Sequence, residues 1–180
     1  MPDKTGTAAQ PGAAIPPDNV NSKLTVANPD DPSMRHISVA GGTYTILVTG
    51  AETSGRYCLI DMLVPPGGGP PPHRHDFEEM FTILEGEIEL NFRGEVLQAG
   101  AGSTVNIPAN APHSFKNKSD KPARLLCMCT PSGQEEFFMA VGDPVDSRTA
   151  PPPKLSTAEQ AERIQRAKAL SAKYRTELLV

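Results

Sequence analysis

The stretch Gly67-Gly68-Gly69-Pro70-Pro71-Pro72-His73-Arg74-His75-Asp76-Phe77-Glu78-Glu79 decides how this chain is read. On an extended strand successive side chains point to opposite faces, so His73, His75 and Glu79 share a parity and are expected to point the same way from one strand. Two imidazoles and a carboxylate on one face suit Zn, Fe, Mn, Ni or Co, because these ions accept nitrogen and oxygen donors together. The prolines ahead of His73 restrict the approach of the chain, while the glycines permit unusual turns. A fourth donor, His113, follows in Pro108-Ala109-Asn110-Ala111-Pro112-His113-Ser114-Phe115-Lys116-Asn117 and closes the set from a second strand. A single buried histidine is more often a hydrogen-bonded core residue than a ligand. Four donors at these spacings resist that explanation, since several buried imidazoles without partners would be costly.

Around this stretch the chain reads as short strands. Thr43–Thr49 is rich in β-branched residues and stops at Gly50, and Arg56–Val64 carries Cys58, Ile60, Met62 and Val64 on one parity. Glu79–Glu85 and Glu87–Phe92 are expected to form a hairpin about Glu85-Gly86. Ile88, Leu90 and Phe92 alternate with Glu87, Glu89 and Asn91, so one face of the second strand is wet. Glu95–Gln98, Ser103–Ile107, His113–Lys116 and Ala123–Thr130 supply further strands, at a spacing typical of a sandwich or barrel. The motif occurs once, so a single barrel is expected. After Pro131 the pattern changes. Ser132–Ala140 predicts a short helix and Asp143–Pro153 a Pro-rich linker. Ser156-Thr157-Ala158-Glu159 fits a capping box opening a helix to about Glu177, with Ala161, Ile164, Ala167, Ser171, Tyr174 and Leu178 at helical spacing.

The two clusters resemble the signature motifs of the cupin superfamily. The first motif maps onto Gly67, His73, His75, Glu79 and Gly86 without a gap, and the second onto Gly102, Pro108, Asn110, His113 and Asn117. One departure stands at Asn110, where the family usually has Gly; Asn tolerates the left-handed backbone better than most residues. The resemblance implies an all-β, antiparallel double-stranded β-helix, a jelly-roll barrel of about six to eight strands with a metal at its mouth or centre. With the C-terminal α-helix, the expected organisation is a mobile N-terminal tail over 1–32, the barrel over 33–131, a short helix and linker over 132–153, and the helix over 154–180.

Composition bounds the rest. At 180 residues the chain is one domain's worth, with 38% hydrophobic residues and no Trp. A net charge of −4 and a pI near 5.6 argue against nucleic acid and anionic membranes as partners. The apolar runs are strand-length, far short of the ~20 residues a spanning helix needs. The N-terminus has no apolar segment after Lys4, so no signal peptide is read and a cytoplasmic location is expected. Cys58, Cys127 and Cys129 read as reduced core residues, with Cys127-x-Cys129 a weak alternative metal pair. Small members of the family commonly pair, and a two-fold homodimer is the commonest soluble assembly, so a homodimer is expected.

The chemistry follows from the cage. Three neutral His and one Glu leave positions open on a divalent transition metal (Fe, Mn, Ni, Co or Zn, one per chain), and open positions distinguish a working metal from a structural one. Glu79 has a second candidate role as catalytic base. By parity, Phe81, Ile83 and Phe115 face the interior, with Met62 beside Cys58 and Ile60, while Phe137, Phe138 and Met139 are placed to cover the mouth. Aromatic and Met residues in a barrel are usually only core. If they line a cavity it is apolar, and suits an aromatic or enolic small molecule better than a sugar phosphate, which would want inward Lys or Arg. Three readings follow: a dioxygenase-type enzyme, resembling the small quercetin-dioxygenase-like cupins; a lyase or isomerase acting on a keto or sugar-derived acid; and a non-enzymatic binding or sensor protein. An inward Tyr, His or Lys beyond the ligands would favour the second, and the ligand strands offer none.

Overall fold

Alternating apolar side chains from residue 35 onward become two antiparallel sheets in the computed structural model, which describes residues 14–180. The strands are β1 (Arg35–Val39), β2 (Gly42–Val48), β3 (Cys58–Val64), β4 (His73–His75), β5 (Glu78–Glu85), β6 (Glu87–Phe92), β7 (Glu95–Gly100), β8 (Thr104–Ile107), β9 (His113–Lys116), β10 (Ala123–Thr130), β11 (Asp143–Pro144) and β12 (Thr176–Leu178). The helices are α1 (Gln134–Val141) and α2 (Thr157–Ser171). One sheet runs β11-β1-β2-β3-β10-β5-β8 and the other β12-β4-β9-β6-β7. They pack as a jelly roll whose inner faces bury Ile60, Met62, Phe81, Ile88 and Leu125. Of the tail expected over 1–32, residues 1–13 lie outside the described residues, and residues 14–34 hold no strand or helix.

Three expectations are corrected. First, Glu85-Gly86 is not a hairpin turn. β5 pairs with β8 and β10, whereas β6 pairs with β7 and β9, so the chain crosses from one sheet to the other there. Gly86 makes the crossing possible: its φ is +72°, and a Cβ would sit 2.8 Å from the Pro122 carbonyl oxygen. The hairpin is the next connection, where Arg93 and Gly94, both at positive φ, join β6 to β7.

Second, His73, His75 and Glu79 do not share one strand. The chain leaves β4 after His75 and enters the other sheet at Glu78, so Glu79 faces the two histidines across the interior. Parity placed these side chains together, but because the inner faces of two sheets meet.

Third, the C-terminal helix does not reach Glu177. The capping box is present, with the Glu159 amide donating to Ser156 Oγ and the Ser156 amide to the Glu159 carboxylate. After Ser171 a 3-10 turn and a left-handed Arg175 (φ 58°) redirect the chain into β12. β12 lies antiparallel to β4, with Thr176 opposite His75 and Leu178 opposite His73. β4 pairs with β9 on its other side, and its free backbone groups hold the segment in place of a continued helix. Ion pairs Arg74–Glu177 and Arg175–Asp76 flank the junction. Of the helical stripe, Ser171 is buried and Ala167 and Tyr174 pack on the core, Ile164 is 50% exposed, and Leu178 belongs to the strand.

Candidate metal centre and cavity

The loop before β4 is tied down on both sides. Gly67 donates to the Asn117 carbonyl, Asn117 returns a bond to the Gly68 carbonyl, and Gly69 donates to the Ala40 carbonyl. At Gly69 (φ +136°) a Cβ would fall 2.1 Å from the Phe115 carbonyl oxygen, so only glycine lets the loop pass this close to β9. Asn117 is fully buried and its side-chain amide donates to the Val64 and Lys121 carbonyls, clipping the ends of β3 and β9 together. Asn110 takes the left-handed conformation (φ 67°), and its amide donates to the His75 carbonyl at 2.6 Å. These contacts set His73 directly opposite His113 on neighbouring strands.

His73, His75, Glu79 and His113 are all buried and each offers a donor atom within 4.8 Å of the others. Each imidazole has the same orienting bond: the His73 Nδ1 faces the Pro71 carbonyl at 2.9 Å, His75 that of Phe77 at 2.9 Å, and His113 that of Ala111 at 2.8 Å. A ring nitrogen facing a carbonyl must carry the proton, which leaves Nε2 as a lone pair. His75 is held further by the Phe77 ring, stacked at 3.9 Å and 4°. Yet His75 Nε2 and His113 Nε2 both lie against Glu79 Oε2, at 3.1 and 3.2 Å. Lone pairs and a carboxylate at this separation repel unless a cation stands among them, either a proton or a metal ion. The donor set therefore fits a divalent metal, with the carbonyl bonds fixing each ring as metal-ligating histidines require.

Ionisation follows the same geometry. Burial pulls His73 down to about 4, with the His113 charge adding to it, so this ring stays neutral. Burial would lower His113 too, but its bond and charge contact with Glu79 outweigh that and raise it. Burial would raise Glu79, and hydrogen bonds from His113 and His75 instead hold it well below the usual carboxylate range. The second oxygen, Oε1, faces Cys127 Sγ at 3.5 Å and Cys129 Sγ at 3.9 Å, and the two sulfurs lie 3.8 Å apart. Contact with Cys129 lowers the Cys127 thiol, but burial and the Glu79 charge push it up to about 12. Both thiols are thus protonated, and act as weak donors that steady the carboxylate from behind. All three cysteines are free and buried.

A cavity of about 590 Å³ opens beside the cage, and His73 and Glu79 form part of its wall. Of the side chains expected there, Met62, Phe81, Phe115, Phe137 and Phe138 line it. Ile83 does not; it lies two positions further along β5 from Phe81, within the packed core. Met139 turns away, its sulfur in contact with Arg35. Among the described lining residues Glu79 is the sole acid, Arg163 is the sole base besides the neutral His73, and Arg163 is ion-paired with Asp143.

Tyr44 and Gln134 are among the lining residues that the sequence did not mark. Tyr44, on β2, is buried and stands edge-to-face with Phe138 at 5.1 Å. Its register partner is Met62, so knowing that β2 pairs with β3 would have found it. The other is Gln134, whose position on α1 no local pattern marks. Thr176 and Leu178 also reach the cavity, because β12 is laid along β4.

Comparison with known proteins agrees with this architecture. Residues 60–129 match the family model described as a cupin domain. The chain is 28% identical over 109 residues to quercetin 2,3-dioxygenase of Bacillus subtilis, a match covering 60% of this chain and 32% of that enzyme. It is 32% identical over 82 residues to an uncharacterized protein of Methanocaldococcus jannaschii, covering 45% of this chain and 66% of the relative. The chain thus spans about a third of the dioxygenase's length. Among solved structures, a predicted oxalate decarboxylase from Thermotoga maritima superposes with a TM-score of 0.53 at 21% identity, over 59% of this chain and 98% of that one, a likeness of fold.

Proposed function

The chain belongs to the cupin superfamily, and from that premise we propose that it is a metal-dependent enzyme of the dioxygenase type acting on a small aromatic or enolic substrate. One observation carries this reading. The four-donor cage opens, through His73 and Glu79, onto a cavity whose other walls are mainly apolar, with Met62, Phe81, Phe115, Phe137 and Phe138 among them. Such a wall favours a flat, largely apolar compound, and the single paired Arg163 argues against a phosphorylated sugar.

His73, His75, His113 and Glu79 would hold the metal. When bound, a divalent ion supplies positive charge for chelating enolate or carbonyl oxygens and, if redox-active, a route for electrons to dioxygen. The chain's own contributions are orientation and exclusion of water. The carbonyls of Pro71, Phe77 and Ala111 hold the three rings in one tautomer, and aromatic side chains line the cavity onto which the cage opens. Glu79 is the carboxylate placed to take a substrate proton. The imidazole bonds that keep its pKa low are those a metal would replace.

Tyr44 supports a second reading. It is an inward phenol beyond the ligand set, and a lyase or isomerase on a keto acid could use it as proton donor in the cavity that Glu79 also lines. Elemental analysis of protein purified without chelator, followed by oxygen uptake with a flavonol and simple catechols, separates the two. About one Fe, Mn, Ni or Co per chain with substrate-dependent uptake is expected. Metal without uptake would transfer the assignment to the lyase or isomerase, and no metal even after reconstitution would reduce the protein to a binding module.

A further inference from the structure

Gln134 is a buried carboxamide that lines the cavity and has an unmet polar atom. The residue opens α1 and is 3% exposed, yet among the described residues its Oε1 has no hydrogen-bond partner. It lines the cavity that His73 and Glu79 also line. A carboxamide carries a donor at one end and an acceptor at the other, so in either orientation it asks for a polar partner. Buried polar groups are paired in the great majority of cases, and an exception invites a functional explanation.

The helix is not free to turn the group away. Glu135, the next residue, is buried, and its carboxylate accepts from the Gly50 amide at 2.7 Å and the Gly133 amide at 2.8 Å. This pins the first turn of α1 to the loop after β2. The far end is also closed, with the Gly142 amide donating to the Phe138 carbonyl. Gln134 is therefore held in place by contacts of its helix that involve no atom of its own side chain. Tyr44 contributes a second polar group to the same wall, its ring fixed by Phe138. Burial, with the Glu79 charge adding, pushes its phenol far up, so it remains a neutral donor.

We propose that Gln134 and Tyr44 form a recognition pair that selects, among chelating aromatic compounds, those with a further phenolic hydroxyl beyond the chelating edge. The inference rests on the reading of the site given under Proposed function and names its substrate class: uncharged polyhydroxylated aromatics. An apolar wall alone would take any flat ring of suitable size. A site with a preset hydrogen-bonding group discriminates against the analogue that leaves that group unmet.

The test measures binding by calorimetry under anaerobic conditions on full-length, metal-loaded protein. Quercetin and 3-hydroxyflavone are suitable probes, because they share the chelating 3-hydroxy-4-keto edge and only quercetin carries further ring hydroxyls. Wild-type protein should prefer quercetin by about tenfold, the ratio one neutral hydrogen bond supplies. Gln134→Leu should erase that preference, leave 3-hydroxyflavone affinity within about twofold, and not lower the Tm, since the unmet polar atom is removed. Tyr44→Phe keeps the ring and should reduce the preference as well, so the inference stays testable if Gln134→Leu fails to fold. Equal wild-type affinity for both probes, or an equal loss of both in the variants, overturns the recognition pair and leaves the proposed function standing. Binding of neither probe by metal-loaded wild type overturns both.

Discussion

The metal cage and the cavity beside it share His73 and Glu79 but are built in different ways. The cage draws on three strands, and each histidine is oriented by a backbone carbonyl two residues away in the chain, Pro71 for His73, Phe77 for His75 and Ala111 for His113. The cavity wall gathers residues from β2, β3, α1, α2 and β12, spread over 130 positions and more of chain. Local bonds make the cage robust to changes elsewhere. The wall depends on how distant segments dock, which is where members of one fold can differ in what they accept.

Breaking the cage should have the largest effect. His113→Ala removes one ligand and leaves Glu79 Oε2 without one of its two imidazole partners. Metal affinity should fall by at least about 100-fold, and the Tm gained on adding metal should vanish. Metal stoichiometry equal to wild type would show that the four residues do not act as a set.

Acid should divide the cage's own members. In metal-free protein His73 has a folded value of about 4 against an ordinary 6.5. As pH falls from about 6.5 the unfolded chain takes up a proton that the folded chain refuses, so this residue withdraws up to about 3 kcal/mol of stability. His113, raised, works in the opposite sense: its contribution is present at low pH and fades as pH rises through its folded value. Glu79, held low, adds a further loss below its ordinary value of 4.5. Denaturant midpoints between pH 7 and 4.5 should therefore fall less steeply in metal-free His73→Asn than in metal-free wild type. Parallel curves would mean that His73 is not buried neutral.

Disturbing the wall should have the smallest effect on folding and leave the cage intact. Ending the chain after Arg175 removes β12, exposes the outer edge of β4 and withdraws Thr176 and Leu178 from the cavity. With the apolar contact of one partly buried leucine and a short ladder lost, the cost should be about 2 kcal/mol, or roughly 4–8 °C in Tm. The exposed ion pair Arg74–Glu177, lost with it, adds little. Metal content should stay near wild type while aromatic-ligand affinity falls. Loss of the metal in this truncation would show that the C-terminal strand supports the cage itself.

The hairpin expected at Glu85-Gly86 shows how far local pattern carries. Both flanking strands were legible from alternation, but alternation does not state which sheet a strand joins, and Gly86 serves a crossing as well as it serves a turn. The helix after Ser156 was legible at its start, where capping is a local event, and not at its end. There the competing partner was the open edge of β4, about a hundred residues earlier in the chain. Gln134 and Tyr44 were invisible for the same reason, since a polar residue in a helix or strand carries no mark of the cavity it will face.

By itself the amino-acid sequence determined the donor set, the strand-rich class and the family pattern. Ligand spacing, apolar alternation and the glycine and asparagine positions are local properties, written in consecutive residues. Tertiary structure alone decided that Glu79 meets the histidines from the opposite sheet, that the chain's last strand closes over β4, and which polar groups face the cavity. Those outcomes depend on pairing between segments far apart in the chain, where the free energy is set by docked surfaces and open sheet edges that no short window of sequence contains.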